Sequence, residues 1–416
     1  MANMKLEKEY MFIGVTLIDG NGGPPVKDTV ILVKNGVIEE VCSRNSIRLK
    51  EGIQQIVLSE YFVMPGLFDA HLHFTGRTNY NPIDWITTPN YLQAMRVVGE
   101  AEKLLDYGFT TVRSAGSRYD IQLRRAIAEG AITGPRVIAC GLALSRTRGH
   151  GDSLRRDLYD VPDEWVQQSH PWAQTCDGVE GVRNAVRKLV GQNVDHVKFL
   201  ATGGGSWKRN RCEDTQYTRE EMQTIVNEAH MVGLKVMCHA ENYEAVRTVV
   251  ELGVDMIEHC DDDSGSELDN ETCRKMADKN IFITPTLSIN FVGPWSTPKI
   301  RQSTINGWER AIKNGVKVLL GSDAGVDPLT PFGKFNIGEM KLLVDTLGLS
   351  PLEAISSGTK LAAESCEISN KVGTIEKGKL ADLLVLKKDP SSNVDVLLDK
   401  ENIKYVIKEG NLVVEH

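Results

Sequence analysis

The sequence predicts an α/β protein: a (β/α)8 TIM barrel joined to a small β-sandwich that both chain termini build together. Three observations lead there. Both ends of the chain alternate apolar and polar residues as paired strands do. The middle alternates short β-branched runs with amphipathic helical stretches, the pattern of repeated βα units. Eight such runs can be counted, and eight units close naturally into a barrel of roughly 250 residues.

The N-terminal strands read YMFIGVTLID, TVILVKNGVIEEVC and QQIVLSEYFVMPG, separated by turn signals such as DGNGGPP and KNG. The C-terminal ones read GTIEKGKLADLLVL and IKYVIKEGNLVVEH. Neither set is long enough for a stable sheet alone, so the economical solution pairs them. The expected division is 1–62 with 367–416 as the composite sandwich and 63–366 as the barrel.

The barrel strands are MPGLFDAHLHF, GFTTVRSAG, PRVIACGLAL, VDHVKFLATGG, LKVMCHAE, VDMIEHC, IFITPTL and VKVLLGSDAG. Helical stretches fall between them, such as TREEMQTIVNEAHMVG and NYEAVRTVVELG. An open doubly wound sheet is the alternative, but no Gly-rich phosphate turn follows the first strand.

Composition narrows the function classes. With 416 residues, 41% hydrophobic and 25% charged, the chain reads as globular with two folding units. Its net charge of -8 gives no concentrated basic face for nucleic acid. The N-terminus lacks a secretory pattern and no run is apolar enough to span a bilayer, so no membrane association and a cytoplasmic location are expected. Eight scattered cysteines without a CxxC fit reduced, buried thiols. A small-molecule substrate and a homo-oligomeric assembly are the expected partners.

The strand ends carry the chemistry. The first ends in His71-Leu72-His73, and residues two apart on a strand face one side. The fourth carries Lys198, the fifth ends at His239, the sixth at His259 and the eighth at Asp323. The C-terminal strand ends form the active-site face of such a barrel, so six groups converge. Imidazole and carboxylate are good zinc ligands. Alone, an HxH is often a chance pair, a strand-end histidine often a hydrogen-bonded core residue, and an SDAG often a turn. Together, five strands would each have to place such a residue at the same end by accident.

PGLFDAHLHF, the lysine in HVKFLATGG, the histidines in CHAEN and IEHC, the aspartate in GSDAG and the closing KGKLADLLVL resemble the amidohydrolase superfamily over essentially the whole chain. ATGGG after the lysine and RGHGD after strand three resemble its branch of prolidase-like enzymes, Xaa-Arg or Xaa-Lys dipeptidases and carboxypeptidases, and ochratoxin hydrolases. The resemblance implies two divalent ions, expected to be zinc. His71, His73 and Asp323 would hold the first, His239 and His259 the second, and Lys198 would bridge them as a carbamate. It also implies that Asp323 shuttles the proton and that His150 contacts the substrate carbonyl or carboxylate.

Arg148, Lys208, Arg209 and Arg211 flank this site in sequence and could clamp a substrate carboxylate, or simply be solvated. The acidic CDDDSGSELDN could favour a basic substrate side chain or face solvent. Strand alternation turns Cys238 and Cys260 away from the site. The leading expectation is hydrolysis of the amide of a dipeptide or N-acyl amino acid. The alternatives are a cyclic amide hydrolase, imidazolonepropionase- or hydantoinase-like, and a non-catalytic barrel. Lys198 counts against the imidazolonepropionase version, which resembles a single-metal site.

Overall fold

In the computed structural model the two ends of the chain meet in one sheet, and the segment between them closes into a barrel. The structure describes residues 5–46, 52–79, 81–152, 160–162, 164–165, 170–204, 211–262, 266–292, 298–326 and 328–416. Five strands open the chain: β1 (Glu9–Leu17), β2 (Val26–Lys34), β3 (Val37–Ser43), β4 (Gln54–Val57) and β5 (Phe62–Pro65). Ten follow: β6 (Leu67–Leu72), β7 (Phe109–Ser114), β8 (Arg136–Ile138), β9 (Ala143–Ser145), β10 (Ala173–Thr175), β11 (His196–Leu200), β12 (Lys235–Ala240), β13 (Met256–His259), β14 (Phe282–Thr284) and β15 (Lys317–Val318). Three close it: β16 (Leu383–Leu386), β17 (Ile403–Lys408) and β18 (Asn411–Glu415).

The terminal sheet runs β18-β17-β16-β5-β1-β2-β3, with β4 also on β1. The two termini join where β5 pairs antiparallel with β16, Val63 opposite Val385. The far end folds back, since Ile38 donates to the Lys379 carbonyl and Ala381 to that of Gly36, so the sheet is sandwich-like. Its apolar face buries Tyr10, Phe12, Ile31, Val63, Leu383 and Ile407. Of the stretch GTIEKGKLADLLVL only Leu383–Leu386 is strand.

The run expected as the first barrel strand divides at Gly66. Residues before it belong to the terminal sheet and residues after it to the barrel, so the expected division at residue 62 runs through β5. Glycine is required at this crossing because a Cβ there would lie 2.1 Å from Thr110 Oγ1.

β6-β7-β8 and β9-β11-β12-β13-β14-β15 are parallel ladders. They meet where Asp195 donates to the Ala139 carbonyl and where Leu72 bridges Ala324, which closes the barrel. The expected third strand is split into β8 and β9. Asp120 Oδ2 takes the N–H groups of both Cys140 and Gly141, 3.0 Å each, which removes them from a ladder. β10 beside β9 was not expected from sequence.

Helices surround the barrel for legible reasons. Residues Arg219–His230 begin on a Thr218/Glu221 capping box. Tyr243–Leu252 begin on Asn242 and bury Val246, Val249 and Val250, one stripe at helical spacing. No disulfide joins any of the eight cysteines, and Cys238 and Cys260 lie in the main core. No helix among the described residues is long and apolar enough to cross a membrane.

Candidate metal centre

The lower barrel interior is apolar: Phe68, Ala70, Met237, Met256, Phe282 and Leu319 pack together. Regular alternation from Phe68 and Ala70 would turn His71 outward. The β6–β7 ladder instead shifts register between Asp69 and Leu72, and Asp69 Oδ1 takes the His71 N–H at 3.0 Å. Past this irregularity His71 and His73 both face Asp323, whose Oδ1 lies 3.3 Å and 3.2 Å from their Nε2 atoms. A similar device acts on β13. Glu258 and His259 are consecutive, yet both reach the site, because His259 adopts a left-handed φ of 65°. Asp323, with φ of 57°, shares this conformation, and such strain clusters at functional sites.

The outward nitrogens of these rings are engaged. His71 Nδ1 donates to Glu258 Oε2 at 2.5 Å, and His73 Nδ1 to the Gly116 carbonyl at 2.9 Å. Thr286 Oγ1 donates to the Pro285 carbonyl, so it accepts from His259 Nδ1 at 2.7 Å. His239 donates from Nε2 to the Gly203 carbonyl at 3.0 Å, which leaves Nδ1 as its lone pair. The inward nitrogens of His71, His73 and His259 are therefore lone pairs as well.

Asp323 Oδ1, facing two of them, has no hydrogen-bond partner in the structure. An anion turned toward lone pairs is repelled unless a cation lies between, so the donor set fits a divalent metal. His71, His259 and Asp323 form one group with ligand atoms within 4.8 Å of one another, and His239, Glu241 and His259 a second. His259 belongs to both, and its ring centroid lies 4.6 Å from that of His239 and 5.3 Å from that of His71. Lys198 is buried, and burial pushes its ammonium pKa down from the ordinary value.

His150 is brought to the same place. Its ring stacks on His239 at 4.7 Å and tilts against Trp172 at 5.6 Å. Burial pushes its pKa down to about 4, so the ring is neutral at physiological pH. Gly204 packs on the other side: a Cβ there would lie 2.1 Å from His150 Cε1. Gly204, after strand four, and His150, in the RGHGD after strand three, thus form one contact.

Two of the four basic residues, Arg148 and Arg211, lie among the described residues. Arg148 is exposed. Arg211 is exposed and bonded to Asp214 at 2.8 Å. Lys208 and Arg209 lie outside the described residues, as do 263–265 of the acidic stretch. Sequence reasoning missed Glu258, Glu241, Thr286 and Arg113. The signal that singled out Lys198, a charge interrupting an apolar strand, is equally present for Arg113 in TTVRSAG and Glu258 in MIEHC.

A (β/α)8 barrel with imidazoles and a carboxylate converging at its strand ends defines a class, the barrel hydrolases. Within it, the chain belongs to the amidohydrolase family, whose model matches residues 62–413. It is similar to the ochratoxinase of Aspergillus niger, 27% identical over 98% of this chain and 87% of the relative. The structure of that enzyme superposes with a TM-score of 0.85, covering 99% of this chain and 97% of the other. A prolidase complexed with N-methylphosphonate-L-proline is 30% identical with a TM-score of 0.86, covering 98% of this chain and all of the other. A Xaa-Pro dipeptidase with methionine bound in its active site is 28% identical with a TM-score of 0.83, covering 98% of this chain and all of that one. The protein is a hydrolytic enzyme acting on amides, and the non-catalytic alternative falls.

Proposed function

We propose that the protein hydrolyses an amide next to a free carboxylate, in a dipeptide or an N-acyl amino acid, at a centre of two divalent ions taken to be zinc. The observation that carries this reading is the set of imidazole lone pairs converging on a carboxylate oxygen without a partner. The ochratoxinase, prolidase and dipeptidase relatives support the amide class.

On this reading His71, His73 and Asp323 hold one ion and His239 and His259 the other. Lys198 would hold both as a carbamate formed with carbon dioxide, which burial favours by pushing the ammonium pKa down and so easing loss of its proton. When bound, the ions supply an activated water and polarise the scissile carbonyl. Asp323 takes a proton from the attacking water and delivers it to the leaving nitrogen. His150, neutral, donates a hydrogen bond to the substrate carbonyl oxygen. Arg148, Lys208, Arg209 and Arg211 are the candidates to take the substrate carboxylate, and Arg211 would exchange Asp214 for it. The same reading places the enzyme in the cytoplasm as a homo-oligomer, without nucleic-acid or membrane partners.

The test is a hydrolysis screen of zinc-loaded protein on dipeptides and N-acyl amino acids, each offered as the acid and as its C-terminal amide. Turnover of the acids with kcat/KM reduced about tenfold or more on the amides is expected, since truncating a charged anchor costs about 1.5–3 kcal/mol. Equal rates would remove the carboxylate anchor. Turnover of cyclic amides alone would replace the reading with the cyclic amidase.

A further inference from the structure

Among the described residues Arg113 is the only arginine that is fully buried. It stands on β7, a strand that offers no candidate ligand. Its Nε donates to the carbonyl of Ala70 at 2.8 Å, and Ala70 immediately precedes His71. Nη1 donates to Ser365 Oγ at 3.1 Å and lies against the sulfurs of Met256 and Cys366. Nη2 faces Glu258 Oε1 at 3.5 Å, while the other oxygen of that carboxylate holds His71 Nδ1. One planar fork therefore touches both the backbone just before His71 and the carboxylate that orients the His71 ring.

We propose that Arg113 is a positioning residue for the metal centre: it fixes the Glu258 carboxylate and the Ala70 carbonyl, and through them aims Nε2 of His71. The inference rests on the metal reading above. A buried guanidinium far from solvent needs such a counterpart, and Glu258 is the carboxylate it meets. Groups that orient a ligand histidine through its other nitrogen contribute strongly to metal affinity. The competing account is a structural pin, because the same fork ties β6, β7, β13 and the helix at Lys360–Ser365 together.

Chelator competition with zinc and elemental analysis on the full chain separate the two. Wild type, Arg113→Met, Arg113→Lys, Glu258→Gln and the Arg113→Met/Glu258→Gln double variant are compared, with the melting temperature of each metal-free protein. Arg113→Met should weaken one of two ions about tenfold and leave the other unchanged, near the low end for orienting groups. The double variant should lose less than the sum of the two single losses, because part of the Arg113 effect passes through Glu258, and fully additive losses would overturn the proposal. Lower melting temperatures with both affinities unchanged, or equal weakening of both ions, would overturn the proposal in favour of the pin. Should Arg113→Met fail to fold, Arg113→Lys decides. Lysine lacks the fork, so a selective loss is expected, and unchanged affinities at both sites overturn the proposal. A wild-type protein holding one ion contradicts the binuclear reading instead, and is seen before any variant is compared.

Discussion

Nδ1 of His71 lies 2.5 Å from Oε2 of Glu258, and both side chains are buried. The contact fixes the proton on Nδ1 and leaves Nε2 to accept. Glu258 stays ionised because His71 and Arg113 outweigh its burial. Glu258→Gln should therefore lower affinity for the ion that His71 holds by about 10–100-fold. Zinc titration against a competing chelator measures it, and an unchanged affinity contradicts the role.

Asp323 is to be tested as asparagine. Its left-handed backbone, φ of 57°, is one that Asn tolerates better than most residues, so the fold is preserved. Loss of the proton acceptor should reduce kcat by at least about 10²–10⁴-fold, the usual worth of general acid–base help. Steady-state kinetics at matched metal content give the answer. Turnover near that of the wild type removes Asp323 from the mechanism.

Gly204 and His150 form one contact, and substitution should show it. Gly204→Ala puts a Cβ into the His150 ring, an overpacking that costs about 1–3 kcal/mol if the ring stays. The ring moves instead. We expect kcat/KM to fall as far as it does in His150→Ala, and the double variant to fall no further. Additive losses would show that the two act separately.

Glu339 predicts a pH dependence of stability. Its carboxylate accepts from the Leu287 and Ser288 N–H groups and from Ser288 Oγ, yet burial raises its pKa from 4.5 to about 7. Between those values the folded state holds a proton that the unfolded state has lost, so stability falls as pH rises through the window. The slope is at most about 1.4 kcal/mol per pH unit. In Glu339→Gln this loss is absent. The melting temperature of the variant relative to wild type should rise from pH 5 to pH 8, and a constant difference would contradict it.

The barrel and the convergence of the strand-end histidines on Asp323 were legible because they rest on periodicity and on residue types at strand ends. Lys198 stood out as a charge within an apolar strand. What escaped lies in departures from regular geometry. Period-2 reasoning predicts neither the slip at Asp69 that turns His71 inward nor the left-handed His259 that lets it join Glu258 at the site. Asp69 itself, buried and bonded to Ser322 Oγ at 2.6 Å and Asn336 Nδ2 at 2.8 Å, joins residues more than 250 positions apart. The split of the third strand follows from Asp120, a side chain of the preceding helix, and no local pattern announces it.

Metal content tests the central claim most directly. Elemental analysis of purified wild-type protein and Lys198→Ala should give close to two divalent ions per chain for the first and a clear loss for the second. One ion per chain in the wild type, unchanged in Lys198→Ala, would contradict the binuclear centre.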